Sequence, residues 1–466
     1  MALIPVRFSA RPFLLVAVVY GATATGSDAQ VTGRDLTHAL DAAARAHVES
    51  VIVPGVSVAV VRGGEVLLQG GYGFVDLEWG VQTPLAGDAS YEIGSVTKQF
   101  TAAAILLLEE EGKIDLDSDF TQYIDFNTQG RTVSVRRLLD HTSGIRSYTE
   151  MSAFAELSVL DLPRDTLVRL VEAEPFDFEP GTAQIYNNSA FFLLGLIIES
   201  LSGQSYEDFV QERLFDPAGM ADSYYCHEAL MRDRRAHGYD AVGPERLIRA
   251  RYIDHAWPYA AGSLCSTVGD LVKWNRALHG GRLLSGASYE QMTTARPLED
   301  GSIIGYAMGI GDGTRGGTPV SAHGGGINGF VSQLAWYPEH DLSIVVLQNS
   351  TAPPGAGALA AAFVDLVLGP EPEPVAEPYA GSLAELEGRY RGISRGRMMD
   401  VAVRENGDRL EFSEEEDDAP VVPTHVGDLT WASGEVRYIF RRVGGQVSEL
   451  RFSAGSAHYV LERIGS

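Results

Sequence analysis

The chain has 466 residues, of which 45% are hydrophobic, and its 36 Lys and Arg against 62 Asp and Glu give a formal net charge of −26. This length predicts two or three domains with a sizeable core. Because such an acidic surface repels phosphate backbones and anionic lipid headgroups, nucleic-acid and membrane-surface partners are disfavoured. The charge is otherwise typical of a soluble exported protein or of a salty habitat.

The N-terminus has the pattern of a secretory signal peptide. Arg7 and Arg11 precede an apolar run over residues 13–20, and Ala22-Thr23-Ala24 supplies the small residues of a cleavage site. This run is much shorter than the about 20 apolar residues that cross a bilayer. We therefore predict a signal peptide over residues 1–24, with 29 as an alternative end. The mature protein is expected to be periplasmic or extracellular, with no stable membrane insertion.

The chain contains two cysteines, Cys226 and Cys265. In an oxidising compartment they can form a disulfide, but the sequence does not show that they are close, and two buried free thiols agree with it at least as well. The sequence has no cysteine cluster and no His-Glu-x-x-His motif. We therefore predict neither a metal nor a cofactor.

Hydrophobic periodicity predicts a sheet built from both ends of a long segment. A helix is expected over residues 35–49, followed by a hairpin of strands at 56–61 and 66–71. A second strand pair is expected far downstream, followed by a helix over 356–368. One antiparallel sheet flanked by the terminal helices accounts for both pairs. The second pair comprises residues 331–337 and 342–347.

The pattern between these strand pairs is helical and predicts a second lobe. We therefore expect a two-lobe α/β (α+β) domain over residues 31–368, with an antiparallel sheet, its flanking helices and an all-helical lobe. The helical patterns of the second lobe cover residues 98–111, 165–173, 190–201 and 268–278.

The composition changes after this domain. Residues 369–378 alternate proline with glutamate and other residues, which is typical of an extended linker. Residues 379–466 carry short β-rich runs between Gly, Asn and Asp turns, which predicts a small C-terminal all-β domain, a barrel or a sandwich. The runs cover residues 398–403, 409–412, 436–441, 449–452 and 457–462.

The first chemical candidate is Ser95, which opens a helix together with Lys98. Residues three apart share a helix face, so the hydroxyl and the amine can meet. A lysine whose charged form is disfavoured can accept the serine proton, and the Ser95 amide at the helix start can donate to an oxyanion. Taken alone, Ser-x-x-Lys is more often an N-cap serine followed by a surface lysine.

Tyr186-Asn187-Asn188 comes directly before an apolar helix. The Tyr186 phenol can relay a proton and the Asn188 amide can contact a substrate. The ordinary alternative is a tyrosine packed in a turn that an asparagine caps.

The third candidate is His323-Gly324-Gly325-Gly326, just before the second strand pair. Glycines at a strand edge allow a substrate to approach, and the amides of Gly325 and Gly326 can donate to it. The alternative is a glycine-rich loop with a solvated histidine. Lipases of the α/β-hydrolase fold use a similar His-Gly-Gly-Gly run, but they also need a Gly-x-Ser-x-Gly elbow between a strand and a helix. The match in this sequence, Gly392 to Gly396, lies in the β-rich C-terminal segment, where no helix is predicted.

Taken in order, these motifs resemble the serine β-lactamase and penicillin-binding superfamily. The resemblance is strongest to its class C-like branch, with D-Ala-D-Ala carboxypeptidases, D-aminopeptidases and family VIII carboxylesterases, and it covers about residues 35–368. Further matching segments are Gly71-Tyr72-Gly73 with Asp76, Tyr91 to Ala102, Leu138 to Gly144, Pro180-Gly181 and Ala261 to Thr267. Residues 379–466 are similar to the β-rich extension of some relatives.

The resemblance implies a role for each candidate. Ser95 would form an acyl-enzyme, Lys98 would take or shuttle its proton, and Tyr186 would act as the base and protonate the leaving group. Asn188 would contact substrate and orient Lys98, and His323 would line the cleft. Gly326 would supply the second oxyanion amide, with Gly325 beside it. His141 and Ser143 belong to a loop that is structural in relatives, so they are left out of the site.

One position departs from true β-lactamases, because His323 stands where they carry lysine. A histidine supplies a positive charge only when it is protonated, near or below neutral pH. The resemblance therefore implies a serine hydrolase for small esters, amides or D-amino-acid peptides rather than an efficient β-lactamase. Two further hypotheses are a penicillin-binding or sensing protein with little turnover, and a C-terminal domain that binds a partner or folds over the cleft.

Overall fold

The computed structural model describes residues 33–50, 53–227, 229–243, 246–414 and 419–464. The predicted signal peptide lies outside these residues. Within them, no helix is both long and apolar enough to cross a membrane.

The described residues form twenty β-strands. Most of them belong to two large antiparallel sheets, one before and one after residues 369–378. The strands are β1 Gly55–Arg62, β2 Glu65–Asp76, β3 Val81–Gln82, β4 Tyr91–Glu92, β5 Tyr224–Tyr225, β6 Tyr239–Ala241, β7 Leu247–Arg249, β8 Leu264–Ser266, β9 Gly311–Arg315, β10 Thr318–Ile327, β11 Phe330–Tyr337, β12 Leu342–Gln348, β13 Gly388–Ser394, β14 Arg397–Asn406, β15 Arg409–Ser413, β16 Thr424–Gly427, β17 Thr430–Ser433, β18 Val436–Val443, β19 Gln446–Ala454 and β20 Ala457–Ile464.

The same residues form twelve α-helices, most of them between β3 and β9. Short 3-10 turns and one π turn connect or extend them, among them the 3-10 turn Gly94–Val96 just before α2. The helices are α1 Gly33–Ser50, α2 Thr97–Glu110, α3 Val135–Leu139, α4 Phe154–Leu157, α5 Arg164–Glu172, α6 Asn188–Ser202, α7 Tyr206–Val210, α8 Asp216–Ala218, α9 Tyr259–Gly262, α10 Val268–His279, α11 Gly286–Thr293 and α12 Ala356–Leu368.

The first large sheet joins the two predicted strand pairs. Its order is β3-β2-β1-β12-β11-β10-β9, so the hairpin β1–β2 pairs through β1 with β12 of the downstream pair. Both faces of this sheet are apolar, because successive side chains of β12 pack into two different hydrophobic clusters. Ile344 and Val346 pack on the side of the terminal helices α1 and α12, whereas Val345 and Leu347 pack against the helical lobe. The predicted two-lobe fold is confirmed.

The helical lobe surrounds α2 and α6, which are buried along most of their length. Phe100 on α2 stacks on Trp274 of α10 with ring centroids 3.9 Å apart. Because α2 is covered on nearly every side, the side chains at its N-terminal end are held in place by packing.

The C-terminal residues form one curled, eight-stranded antiparallel sheet in the order β15-β14-β13-β20-β19-β18-β17-β16. The predicted all-β character is confirmed, although β13, β16 and β17 were not predicted. Strand β13 was not predicted because its sequence alternates arginine with other residues, which is not typical of a buried strand. Arg389 and Arg391 both form ion pairs with Asp400, and Tyr390 between them is buried.

The C-terminal sheet is docked on the helical lobe beside residue 186. Gln184 and His458 exchange two backbone hydrogen bonds of 3.1 and 2.8 Å, and Ile185 packs in the apolar core of the C-terminal sheet. Asp300 forms ion pairs with Arg441 and with the buried Arg451, the latter at 2.7 Å. These contacts tie the segment before Tyr186 to both parts of the molecule.

The two cysteines lie together beside β8. Cys265 lies on this strand, Cys226 directly follows the neighbouring β5, and the two form a disulfide. The sequence left this pairing open because the residues between them show no sign of bringing β5 and β8 together.

Candidate active site

Ser95 lies at the junction of the sheet and the helical lobe. Strand β4 is followed by the 3-10 turn Gly94–Val96 and then by α2, so Ser95 lies in this turn, two residues before the buried helix begins at Thr97. Gly94 has a φ of +50°, and a Cβ atom there would lie 2.9 Å from the Gly326 amide nitrogen. A glycine is therefore needed for β10 to pass this close to Ser95. The Ser95 side chain is partly exposed, unlike the residues of α2 that follow.

Lys98 is fully buried beneath Ser95. Its Nζ atom lies 3.2 Å from Ser95 Oγ, 2.8 Å from Asn188 Oδ1 and 2.8 Å from the Ala261 carbonyl oxygen. The helical spacing of Ser-x-x-Lys therefore has the geometry that the sequence predicted, and the ordinary N-cap alternative does not apply.

The surroundings of Lys98 suit a neutral amine. Burial holds the pKa of Lys98 well below its usual value, and the positive charge of Arg395 acts in the same direction. A neutral amine has two N–H groups and one lone pair. The carbonyl oxygens of Asn188 and Ala261 accept the two N–H groups, which leaves the lone pair facing the Ser95 hydroxyl.

Tyr186 lies on the other side of this pair. Its ring centroid is 4.8 Å from Lys98 Nζ, and its buried hydroxyl makes no hydrogen bond of good geometry to any described residue. Burial raises the pKa of Tyr186, while Ser95 and Arg395 act more weakly in the opposite direction. Tyr186 therefore keeps its proton at neutral pH. Its hydroxyl is not engaged by another described side chain and is available to a substrate.

Asn188 begins α6, where Asn187 is the capping residue and accepts a hydrogen bond from the Ala190 amide. The Asn188 Nδ2 atom donates to Thr149 Oγ1 at 3.3 Å, so its Oδ1 is turned toward Lys98. The cap predicted as the ordinary alternative is present, but it belongs to Asn187.

His323 lies on β10, with its ring centroid 6.2 Å from that of Tyr186. Both of its nitrogens are engaged: Nδ1–H donates to the Gly324 carbonyl at 2.6 Å, and Nε2 accepts from the Tyr306 hydroxyl at 2.8 Å. Burial, with a further effect of Lys98, lowers the pKa of His323 to about 3. His323 is therefore neutral at physiological pH and does not supply the charge of the lysine that it replaces.

Gly325 and Gly326 lie on the same strand, beside the turn that holds Ser95. A Cβ atom on Gly325 would lie 2.0 Å from the Ile93 carbonyl oxygen, whereas a Cβ atom on Gly326 would meet nothing. Gly325 is thus needed for close packing, and Gly326 faces open space next to Gly94. The structure brings all seven predicted site residues to one cleft.

Two residues of this cleft were missed by the sequence analysis, and a third, His141, was left out of the predicted site. Tyr306 holds His323, and Arg395 comes from the C-terminal sheet. His141, left out as structural, packs its ring 4.4 Å from the Tyr186 ring and accepts a hydrogen bond from the Asn187 amide. No local pattern marks Tyr306 or Arg395, whereas His141 was visible in the sequence as part of His141-Thr142-Ser143-Gly144.

The fold and the Ser95–Lys98 pair define a two-lobe protein of the β-lactamase-like class. The Beta-lactamase family model matches residues 40–369, and the chain belongs to this family.

Relatives act on D-amino-acid compounds or bind penicillin, as their names state. The D-aminopeptidase of Brucella anthropi is 30% identical over 335 residues, which cover 72% of this chain but only 63% of that enzyme. The chain therefore spans less than two thirds of this relative. The D-amino acid amidase of Ochrobactrum anthropi SV3, solved with L-phenylalanine amide, has a TM-score of 0.63 at 25% identity and covers 72% of this chain and 99% of the amidase.

A third protein shares the fold beyond the family match. The octameric penicillin-binding protein homologue from Pyrococcus abyssi has a TM-score of 0.62 at 24% identity. The match covers 91% of this chain and 99% of the homologue, so it extends into the C-terminal sheet.

Proposed function

We propose that this protein is a serine hydrolase that cleaves amide bonds of D-amino-acid amides or peptides through an acyl-enzyme on Ser95. The observation that carries the proposal is the buried Lys98 amine. Its Nζ atom is held by the carbonyl oxygens of Asn188 and Ala261, and its remaining contact is with Ser95 Oγ. The names of the relatives support the D-amino-acid substrate class.

The geometry supports separate roles for Ser95, Lys98 and Tyr186 in the formation of the acyl-enzyme. Ser95 Oγ attacks the amide carbon while Lys98 accepts its proton, and the carbonyl oxygen becomes an oxyanion facing the amides of Ser95 and Gly326. Tyr186 then donates its proton to the departing nitrogen, the C–N bond breaks, and the acyl group remains on Ser95. Proton return from the Lys98 ammonium to the Tyr186 phenolate restores both groups before water releases the acid.

This assignment reverses part of what the resemblance implied. Tyr186 was expected to be the base that activates Ser95, but burial raises its pKa while burial lowers that of Lys98. Lys98 is therefore the group that is unprotonated and available to accept the Ser95 proton, and Tyr186 the group that carries a proton to give. A neutral His323 also does not supply the cation that the lysine of true β-lactamases offers to a β-lactam carboxylate at this position.

The test is a substrate panel on the purified protein: D-amino-acid amides, a D-Ala-D-Ala peptide, short-chain p-nitrophenyl esters and a chromogenic cephalosporin. We expect turnover of the D-amino-acid compounds, and loss of both turnover and fluorophosphonate labelling in Ser95→Ala. Ser200→Ala, exposed near the far end of α6, is the matched control and should behave like the parent. Turnover of esters alone would contradict the substrate class, and full activity of Ser95→Ala would contradict the mechanism.

We also propose that the protein is exported and loses residues 1–24. The basic and apolar pattern before Ala24 and the Cys226–Cys265 disulfide, typical of oxidising compartments, support this. Intact-mass measurement of the protein recovered from a periplasmic or culture fraction should give a mature chain starting at residue 25. A full-length chain confined to the cytoplasm would contradict export.

A further inference from the structure

The turn between β13 and β14 brings a residue of the C-terminal sheet to the Ser95 cleft. Ser394 pairs with Arg397, so the turn consists of Arg395 and Gly396 alone. The guanidinium carbon of Arg395 lies 5.9 Å from the Tyr186 ring centroid. A side chain far from Ser95 in the sequence thus lies next to the proton donor of the proposed reaction.

The backbone of this turn is unusual for an arginine. Arg395 and Gly396 have φ values of +41° and +73°, a region that glycine and asparagine adopt far more readily than arginine. A Cβ atom on Gly396 would lie 2.6 Å from Glu150 Cβ, so the turn is packed tightly against the lobe that carries Ser95.

Arg395 is connected to Lys98 by a continuous chain of polar contacts. Its Nε and Nη2 atoms lie 3.0 and 2.9 Å from Glu150 Oε1. Thr149 Oγ1 bonds Glu150 Oε1 at 3.3 Å and also accepts from Asn188, which holds Lys98. The C-terminal sheet therefore holds the Arg395 guanidinium at a fixed position relative to Lys98 and Tyr186.

The other cationic groups of the cleft do not offer a charge to a substrate. Lys98 is fully buried with Nζ at hydrogen-bond distance from three oxygens, and both nitrogens of His323 are engaged. The Arg395 side chain is 47% exposed. Glu150 occupies only its Nε and Nη2 edge, and Nη1 makes no hydrogen bond to any described residue. A second carboxylate can therefore bind this guanidinium.

We propose that Arg395 binds a free carboxylate on the leaving-group residue of the substrate, so that the cleft prefers D-peptides ending in a carboxylate to the same peptides ending in a carboxamide. The leaving-group side follows from the position of Arg395 beside Tyr186, which protonates the departing nitrogen. This inference rests on the proposed amide hydrolysis and adds the chemical class of the group that leaves.

The experiment compares D-alanyl-D-alanine with D-alanyl-D-alanine amide, following cleavage between the two alanines. The parent should show the higher kcat/KM for the carboxylate form. Because Arg395→Gln removes a charge-assisted hydrogen bond to the carboxylate, it should reduce the carboxylate-to-carboxamide ratio by about tenfold or more. Arg395→Lys keeps the charge but loses the planar fork, and should retain part of the ratio.

Arg397→Gln is the matched control, since Arg397 lies at the other end of the same turn and pairs with Glu414. Its ratio should equal that of the parent. An unchanged ratio in Arg395→Gln, or an equal loss for both dipeptides, would overturn carboxylate binding; the equal loss would show that Arg395 acts only through Lys98.

A binding measurement separates this inference from the proposed reaction. Each dipeptide is tested for its ability to slow the labelling of Ser95 by a fluorophosphonate. Stronger protection by the carboxylate form in the parent, lost in Arg395→Gln, supports the Arg395 site even if neither dipeptide is hydrolysed, in which case only the proposed substrate class fails. Equal protection by both forms in the parent overturns the Arg395 site.

Discussion

Lys98 and Tyr186 flank Ser95, and burial acts on them in opposite senses. A buried amine loses its proton more easily, whereas a buried phenol holds its proton more tightly. The sequence shows which residue types meet at Ser95. Their protonation states follow from how completely the helical lobe covers them.

The first prediction concerns the pH dependence set by Lys98. A base acts only when unprotonated, so kcat/KM for a D-amino-acid amide should rise with pH through the lowered pKa of Lys98, well below 10.5. Lys98→Ala and Lys98→Arg should both lose about 10³-fold or more, because an arginine does not give up its proton.

Lys273→Ala is the control, because Lys273 is 47% exposed on α10 and pairs with Asp270. It should retain the parent profile. An activity limb that rises only near the ordinary lysine pKa, or an active Lys98→Arg variant, would exclude Lys98 as the base.

Among the elements, β10 runs close to the turn that carries Ser95, since a Cβ atom on Gly94 would lie 2.9 Å from the Gly326 amide nitrogen. Ser332 Oγ on the neighbouring β11 donates to the Ile93 carbonyl at 2.8 Å, and Gly325 leaves room for that contact. Strand β10 therefore sets the width of the gap between Ser95 and Gly326.

The second prediction tests this packing with Gly325→Ala. The added methyl group would meet backbone at Ile93, so β10 must shift, and we expect a loss of about 1–3 kcal/mol in the free energy of unfolding. Fluorophosphonate labelling of Ser95 should slow as well, because Gly326 moves away. Denaturant unfolding and labelling rates measure the two effects.

Gly324→Ala provides the comparison on the same strand. Its new Cβ would lie 3.1 Å from Gln333 Oε1, the end of a flexible side chain, so the change should be tolerated. Equal stability of the two alanine variants would show that the contact of β10 with Ile93 is not tight.

On the scale of the whole molecule, the C-terminal sheet completes the cleft. Ile185, next to Tyr186, is 4% exposed and packs in the core of that sheet, while Arg395 returns from the sheet to the cleft. Removing contacts at this junction should therefore affect both stability and catalysis.

The third prediction is that Ile185→Ala lowers the free energy of unfolding by about 2–5 kcal/mol, the usual cost of a large-to-small change in a core. It should also lower kcat, because the segment that carries Tyr186 loses its anchor. Ile303→Ala is the matched control, since Ile303 is 78% exposed and its truncation removes little packing. Identical unfolding midpoints for the two variants would rule out Ile185 as an anchor between the two parts.

Much of the fold follows from local patterns in the sequence. Helices α1, α2, α6, α10 and α12 were predicted to within about two residues at each end, because each has a continuous apolar face or core. Strand β13 and the short strands β16 and β17 were not, because their residues are mostly polar and their burial depends on distant partners.

The sequence by itself predicted that Ser95 and Lys98 meet, since residues three apart at the start of a helix share a face. It also determined the two-lobe fold and the order of the motifs. Only the tertiary structure decided that His323 is neutral, that Cys226 and Cys265 pair, and that Arg395 lies at the cleft. The physical reason is that burial, charge and long-range pairing depend on segments that the sequence keeps far apart and that folding brings together.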